Sequence, residues 1–398
     1  MSASLTAVPR GEAIVEAARA LAPSIAAASD GIEASRGLPD ELVDALYAAG
    51  LFTMLLPATF GGAELDPLTF ARAVEELARA DASVAWCVGQ ANGLCLHIAC
   101  ADPAAMRMLF DAGKRVIFAN GPGEGNRPGR AVEIEDGYVV SGRWNFASGI
   151  GHADWLLAVC QLFDRCGTPL VDHGGKPEQR LMLVPKSSAT LHDVWHVSGL
   201  RGTGSQSFSC ADVYVPRGHV VGYAPAARRE RGPLYLFSTS GLFGPAFGSV
   251  ALGLAHASLA SFVEFAAGKV PRGMDRSLRE SATVQAAVAV AHAQVGAARR
   301  YLHHTLFEVW EQVCGSGELS IEQQIAVRLA STHASQEAAC VVDTVYGLAG
   351  SNAIFEDRPF ERRFRDVHAG TQQLQARRAH YENVGAFLLG LEPNRAFL

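Results

Sequence analysis

The sequence predicts an α+β protein, mostly helical, in which helices come first, a small antiparallel β-domain follows and a helical bundle closes the chain. Two observations carry this. Apolar residues recur at helical spacing from 11 to 113 and again from 234 onward, whereas between 115 and 221 the apolar runs are short, β-branched or aromatic, and broken by Gly, Pro, Asp and Asn. The expected boundaries are 1–114 for the N-terminal helical domain, 115–222 for the middle β-domain and 223–398 for the C-terminal helical bundle.

In the first part, LPDELVDALYAAGLF puts Leu38, Leu42 and Leu46 on one stripe, opens at Pro39 and Asp40, and should stop at Gly50. DPLTFARAVEELARADAS repeats this pattern, with Asp66 and Pro67 at its start and Leu68, Ala71, Val74, Leu77 and Ala78 on one face. The stretch 83–101, SVAWCVGQANGLCLHIACA, is apolar nearly all round and predicts a buried helix. Strands are expected in VIFAN, AVEIE, YVVSGRWNF, WLLAVCQLF, RLMLVP and FSCADVYVP, with Asp136-Gly137 as a hairpin turn. Residues 165–179, RCGTPLVDHGGKPEQ, have the composition of an exposed loop, where the least order is expected. Three long Ala-rich helices should cover 234–267, 276–313 and 320–348, followed by a pair around 357–368 and 371–389; the short breaks between them imply antiparallel packing.

A chain of 398 residues with a net charge of −6 has room for a large core and no basic tract to attract nucleic acid or an anionic membrane. The start of the chain lacks a charged segment followed by an apolar run, and nowhere do eighteen apolar residues run uninterrupted, so a soluble, cytoplasmic protein is expected. The eight cysteines form no C-x-x-C pair and lie mostly among apolar neighbours, which predicts buried free thiols. No metal-ligand spacing stands out among the thirteen histidines: His303 and His304 would point about 100° apart on a helix, and His256 and His292 should pack or be solvated. Gly-rich GPGEGNRPG lacks the strand-to-helix setting of a dinucleotide fingerprint, so no NAD(P) site is expected on this chain.

Three blocks resemble the acyl-CoA dehydrogenase superfamily in the right order. They are SGRWNFASGIGHADWLLAV at 141–159, SGLRGTGSQSFSCADVYVP at 198–216 and RPFERRFRDVHAGTQQLQ at 358–375. The resemblance implies the acyl-CoA dehydrogenase-like fold and a flavin, and the departures from it narrow the chemistry. Ala369 stands where the dehydrogenases carry their catalytic glutamate before G-T, residues 235–256 hold no carboxylate to replace it, and ANGPGEGNRPGRA at 119–131 replaces a segment that helps hold flavin and CoA substrate. A CoA thioester is therefore not expected.

Instead, W-N-F-A-S-G at 144–149, G-L-R-G-T-G-S at 199–205 and His368 close to Gly370-Thr371 are similar to the two-component flavin-dependent monooxygenases of this fold, such as the oxygenase of para-hydroxyphenylacetate hydroxylase. That branch implies reduced FMN or FAD supplied by a separate NAD(P)H-dependent flavin reductase, O₂ as co-substrate, a C4a-hydroperoxyflavin, and hydroxylation of a small aromatic such as a phenol or indole. It places Ser148 near flavin N5 and His368 near the substrate. A serine hydroxyl can hydrogen-bond there without acidity, and an imidazole can take a proton from a phenol or indole N–H.

Trp144, Phe146, Ala147, Asn120 and Gly370 are then expected around the cofactor. Asn120 serves equally well as a turn residue before Gly121-Pro122. His97 reads either as a satisfied core histidine or as a catalytic residue on a helix lining the aromatic pocket. Trp86, Phe237 and Phe243 read as core packing or as pocket floor. Arg272 and Gln285 read as ordinary surface or as holders of the flavin tail across a subunit interface, which would suit a homotetramer. The alternatives are an FAD-bound acyl-CoA dehydrogenase or nitroalkane-type oxidase, and a non-catalytic assembly protein.

Overall fold

The computed structural model describes residues 10–111, 113–172, 174–222 and 227–398. Five helices come first: α1 Arg10–Ser35, α2 Asp40–Ala48, α3 Pro67–Ala80, α4 Ala82–Ile98 and α5 Pro103–Phe110. Their starts follow from local chemistry. Asp66 accepts from the Thr69 amide, Asp81 from that of Val84 and Asp102 from those of Ala104 and Ala105, so each side chain takes a donor the first turn would leave unpaired. Gly50, at φ +77, ends α2 in a left-handed turn open to glycine without strain.

The strands are β1 Phe118–Ala119, β2 Gly129–Glu133, β3 Gly137–Ala147, β4 Trp155–Phe163, β5 Gln179–Pro185, β6 Thr190–His192, β7 Gln206–Pro216 and β8 Val220–Val221. The β2–β3 hairpin turns at Asp136-Gly137, as its residues dictate. The sheet, in order β6-β7-β3-β2-β4-β5-β8, is mixed rather than antiparallel. After β3 the chain crosses β2 and runs down its far side, so β4 lies parallel to both β2 and β1. Strand composition does not encode that crossing. Residues 165–179 are more regular than their composition suggests: Asp164 and Asp172 each cap a turn, and the bridges Phe163↔Pro169 and Val171↔Pro177 extend the strand pair. His173, within this segment, lies outside the described residues.

Five more helices complete the chain: α6 Thr239–Gly268, α7 Ala282–Ser316, α8 Ile321–Ala349, α9 Pro359–Thr371 and α10 Ala379–Leu388. The helices expected from 234, 276 and 371 start later than composition suggested, at Thr239, Ala282 and Ala379. Ser238 caps α6 through the Gly241 amide, a Ser277–Glu280 box forms a separate turn before α7, and 372–378 are non-helical before α10. α6 is long and apolar enough to span a membrane, but 72% of that window is buried inside the protein, as in a core helix.

Helices from both ends of the chain share one hydrophobic core, and the sheet has its own around Trp144, Phe208, Leu156 and Met182. The expectation of buried thiols holds for Cys87, Cys95, Cys100, Cys160 and Cys210 but fails for Cys166, Cys314 and Cys340, which are exposed; all eight are free. Cys314 and Cys340 sit on outward positions of α7 and α8, where Ala-rich surroundings do not mean burial.

On the buried face of α3 lies Glu75, wholly enclosed. Arg299 Nε donates to it at 2.7 and 3.0 Å, and His303 Nε2 lies 3.1 Å away, both from α7. His256 of α6 approaches at 3.8 Å. Burial alone would raise this carboxyl, but His303 and Arg299 outweigh it and hold it at about 2. The Glu75 charge therefore ties α3 to α7.

Glu75→Gln removes the charge that His303 and the partly exposed Arg299 meet. We expect a loss of about 1–3 kcal/mol, measured as a lower urea midpoint at unchanged m-value.

Candidate active site

The three sequence blocks meet at one joint. A Cβ at Gly199 would run into the Arg365 main chain, so only glycine lets this loop lie directly against α9. Asp366 Oδ1 accepts from the Leu200 amide at 2.6 Å, and the Arg365 guanidinium donates to Ser198 O. Leu200 is held at φ +52, and its carbonyl accepts from Trp195 Nε1 at 3.1 Å and Thr203 Oγ1 at 2.8 Å.

From Thr203 a chain of buried hydroxyls runs to the first block. Thr203 Oγ1 lies 2.7 Å from Ser205 Oγ, and Ser205 Oγ lies 2.7 Å from Ser148 Oγ. Trp86 Nε1, from α4, donates to Ser148 Oγ at 3.2 Å. Ser148 follows Phe146, whose φ of +57 turns the end of β3, and Gly149 N donates to Thr203 O at 2.8 Å.

Beside this chain is a narrow aromatic cleft lined among others by Trp86, Leu200, Phe247, Asp366, Gly370 and Thr371. Trp86 stacks on Phe247 at 4.0 Å and 14°, and Phe247 on Phe243 at 5.5 Å and 18°. Gly93 leaves the space that the Phe243 ring fills, since any Cβ there would overlap it. A Cβ at Gly370 would sit 3.7 Å from Trp86, so α9 and α4 approach closely there. A separate narrow cleft between α6 and α8, lined among others by Ser238 and Arg328, contains none of the expected catalytic or cofactor residues.

Ser148, Gly370 and Trp86 thus come together, while the other expected residues lie as follows. His368 projects from a different face of α9 than Gly370; its Nε2 is 2.7 Å from Asp343 Oδ1 of α8, its ring packs edge-on against Phe364, and 39% of its side chain is exposed. Asn120 Oδ1 accepts from Gln90 Nε2 at 2.8 Å. His97 Nε2 is 3.1 Å from Thr239 Oγ1, and burial first, then Arg228, pushes its pKa down to about 4, so its imidazole is neutral at pH 7.

Trp144 is wholly buried in the sheet, donating to Val159 O and stacked on Phe208, and Ala147 is buried beside it. Phe146 is 63% exposed, edge-on to Trp195. Arg272 and Gln285 are both exposed at the α6–α7 connection, Gln285 donating to Arg279 O. Phe237 is core, facing Trp310.

Sequence reasoning assigned no role to Thr203, Ser205 or Asp366, although all three lie inside the quoted motifs. Asp366 is the sharpest omission. Burial raises it most, the Leu200 amide opposes, Asp81 and Glu33 add to the rise, and the carboxyl ends at about 7. By its charges alone the R-F-R-D pattern suits a solvated helix face, and nothing local says that its aspartate points inward.

The chain matches the family models for the acyl-CoA dehydrogenase N-terminal domain over residues 9–102 and the acyl-CoA dehydrogenase C-terminal domain over residues 246–378. It is 30% identical over 360 residues to the indole-3-acetate monooxygenase of Acinetobacter baumannii, covering 90% of this chain and 89% of that one. This chain belongs to the acyl-CoA dehydrogenase superfamily. Within it, the chain falls among the oxygenase components of flavin-dependent monooxygenases. The oxygenase subunit HsaA of Mycobacterium tuberculosis is 27% identical over 369 residues, covering 90% of each chain. The crystal structure of that monooxygenase superposes with a TM-score of 0.84 at 26% identity, over 98% of this chain and 100% of its own. XiaF from Streptomyces, solved with FADH2 and glycerol, shares the fold with a TM-score of 0.87 at 24% identity over 98% of both chains.

The residues present fit a flavin. Neutral hydroxyls, an amide and indole and phenyl faces suit a planar, amide-edged ring, and Ser148 Oγ keeps an unspent lone pair beyond its bonds with Trp86 and Ser205.

Because the folded-state pKa of Asp366 lies above its unfolded value, the native state binds the extra proton between about pH 4 and 7, and this group's contribution to stability declines as pH rises through that window. We expect Asp366→Asn, which keeps an oxygen for the Leu200 amide, to gain on the wild type by up to a few kcal/mol from pH 4 to 8. Thermal unfolding of both proteins across that range measures the gain.

Proposed function

We propose that this chain is the oxygenase component of a two-component flavin-dependent monooxygenase that hydroxylates a small aromatic, with a separate NAD(P)H-dependent reductase supplying FMN or FAD in reduced form. The observation that carries the reading is the buried Ser148 hydroxyl, held by Trp86 and Ser205 beside the Trp86–Phe247–Phe243 stack. Reduced flavin, when bound, supplies the electrons that split O₂ between substrate and water. Ser148 offers a hydroxyl at the flavin N5 edge, and Asn120, its oxygen engaged by Gln90, presents its amide N–H groups. The aromatic faces hold a flat apolar substrate and exclude water.

Asp343 and His368 have the arrangement of an orienting carboxylate and a base, and His97, neutral at pH 7 and paired with Thr239, is a second imidazole on the helix that carries Trp86. The dehydrogenase and nitroalkane-oxidase alternatives lack support, since the similar proteins named above are monooxygenases and residue 369 is alanine. A homotetramer in the cytoplasm completes the reading. Exposed Val263, Met274 and Val290 offer apolar surface around the α6–α7 connection that carries Arg272, and all eight cysteines are free.

With reduced FMN or FAD, ¹⁸O₂ and a panel of phenols and indoles, one ring should gain a single ¹⁸O atom. Bleaching of bound oxidised flavin by an acyl-CoA, without hydroxylation, would sink the proposal. Ser148→Ala should raise the fraction of O₂ released as H₂O₂ by about two- to tenfold, the kinetic equivalent of one hydrogen bond, read by peroxide assay against product yield.

A further inference from the structure

We propose that Thr203 and Ser205 are positioning residues that fix the direction of the Ser148 hydroxyl, so that Ser148 meets its ligand only as a hydrogen-bond acceptor and thereby selects reduced over oxidised flavin. The polarity follows from proton counting. Leu200 O is a carbonyl and can only accept, so the Thr203 hydroxyl proton is spent on it at 2.8 Å. Thr203 Oγ1 must then accept from Ser205, 2.7 Å away, and Ser205 Oγ must in turn accept from Ser148, also at 2.7 Å. The Ser148 proton therefore points to Ser205, into the chain.

Trp86 Nε1–H is a donor only and takes one lone pair of Ser148 Oγ at 3.2 Å. One lone pair remains. Reversing the chain would break the Thr203 Oγ1–Leu200 O bond, leaving that carbonyl to the Thr203 amide and Trp195 Nε1, and would turn the Ser148 proton away from Ser205, its acceptor in the protein, in a site where Ser148, Thr203 and Ser205 are all at most 8% exposed. Such a reversal is costly, so the hydroxyls behave as one oriented unit.

The consequence rests on the flavin reading above. Reduced flavin carries a hydrogen on N5 and can donate to the remaining lone pair. Oxidised flavin presents a bare lone pair at N5 and meets another. The same hydroxyl, if free to rotate, would serve both forms and discriminate neither.

Anaerobic and aerobic titrations with reduced and oxidised FMN and FAD, followed by equilibrium dialysis, give the ratio of the two dissociation constants. The wild type should favour the reduced form. Ser205→Ala frees the Ser148 proton to turn toward the ligand, and the ratio should fall by about three- to tenfold. Thr203→Val, close to isosteric, should act in the same direction and covers the case in which Ser205→Ala fails to fold, while Thr203→Ser should keep the wild-type ratio. In a Ser148→Ala background, Ser205→Ala should have no further effect on the ratio. Unchanged ratios in both Ser205→Ala and Thr203→Val overturn the proposal, as does an equal drop from Ser205→Ala with Ser148 absent. A wild type that binds neither FMN nor FAD in either form overturns the flavin reading itself, which separates the two failures.

Discussion

Everything around the site hangs on the hydrogen bond from the Leu200 amide to Asp366 Oδ1, 2.6 Å long and buried. It joins α9 to the loop between β6 and β7, and through Leu200 O it sets where Thr203, Ser205 and finally Ser148 can stand. Without that anchor Leu200 would have no reason to remain at φ +52, a backbone conformation that costs energy for a residue with a Cβ. A bond between two main elements of the fold is thus also the far end of the wire that aims one hydroxyl.

Two buried carboxyls show how context decides what an acid does here. Glu75 is met by Arg299 and His303 and stays ionised, locking α3 to α7. Asp366 has an amide in place of a cation at its oxygen and two acids nearby, so its proton is retained up to about pH 7. Near neutrality the first is a strut and the second sits close to its titration point, although both are equally hidden from water. The cleft between α4, α6 and α9 is lined mostly by apolar and aromatic side chains, with Asp366 the titrating group among them, a water-poor setting in which a single oriented hydroxyl has a large effect.

The helices were legible wherever a cap or a stripe announced them, as at Asp66 and Asp81, and the β2–β3 hairpin was legible from Asp136-Gly137. The parallel pairing of β4 with β2 was not, since strand patterning carries no record of which neighbour a strand finds. The position of Ser148 was readable from its motif. That Trp86 would be its donor was not, because 62 residues separate them.

Nor could the sequence show that His303 and His256 converge on Glu75, or that Trp144 would be sealed inside the sheet by glycines at 129 and 142, where any Cβ would press on its ring. His368 illustrates the same limit, since its spacing from Gly370 was plain while its turn toward Asp343 depends on how α8 and α9 pack.

Residue order alone therefore determined the fold class, the family and the hydroxyl-bearing motif, because these rest on periodicity, caps and short contiguous blocks. Tertiary structure alone decided the direction of the Ser148 hydroxyl, the retained proton of Asp366 and the partners of the histidines. Those depend on which distant groups share a water-poor space, and no local pattern records that.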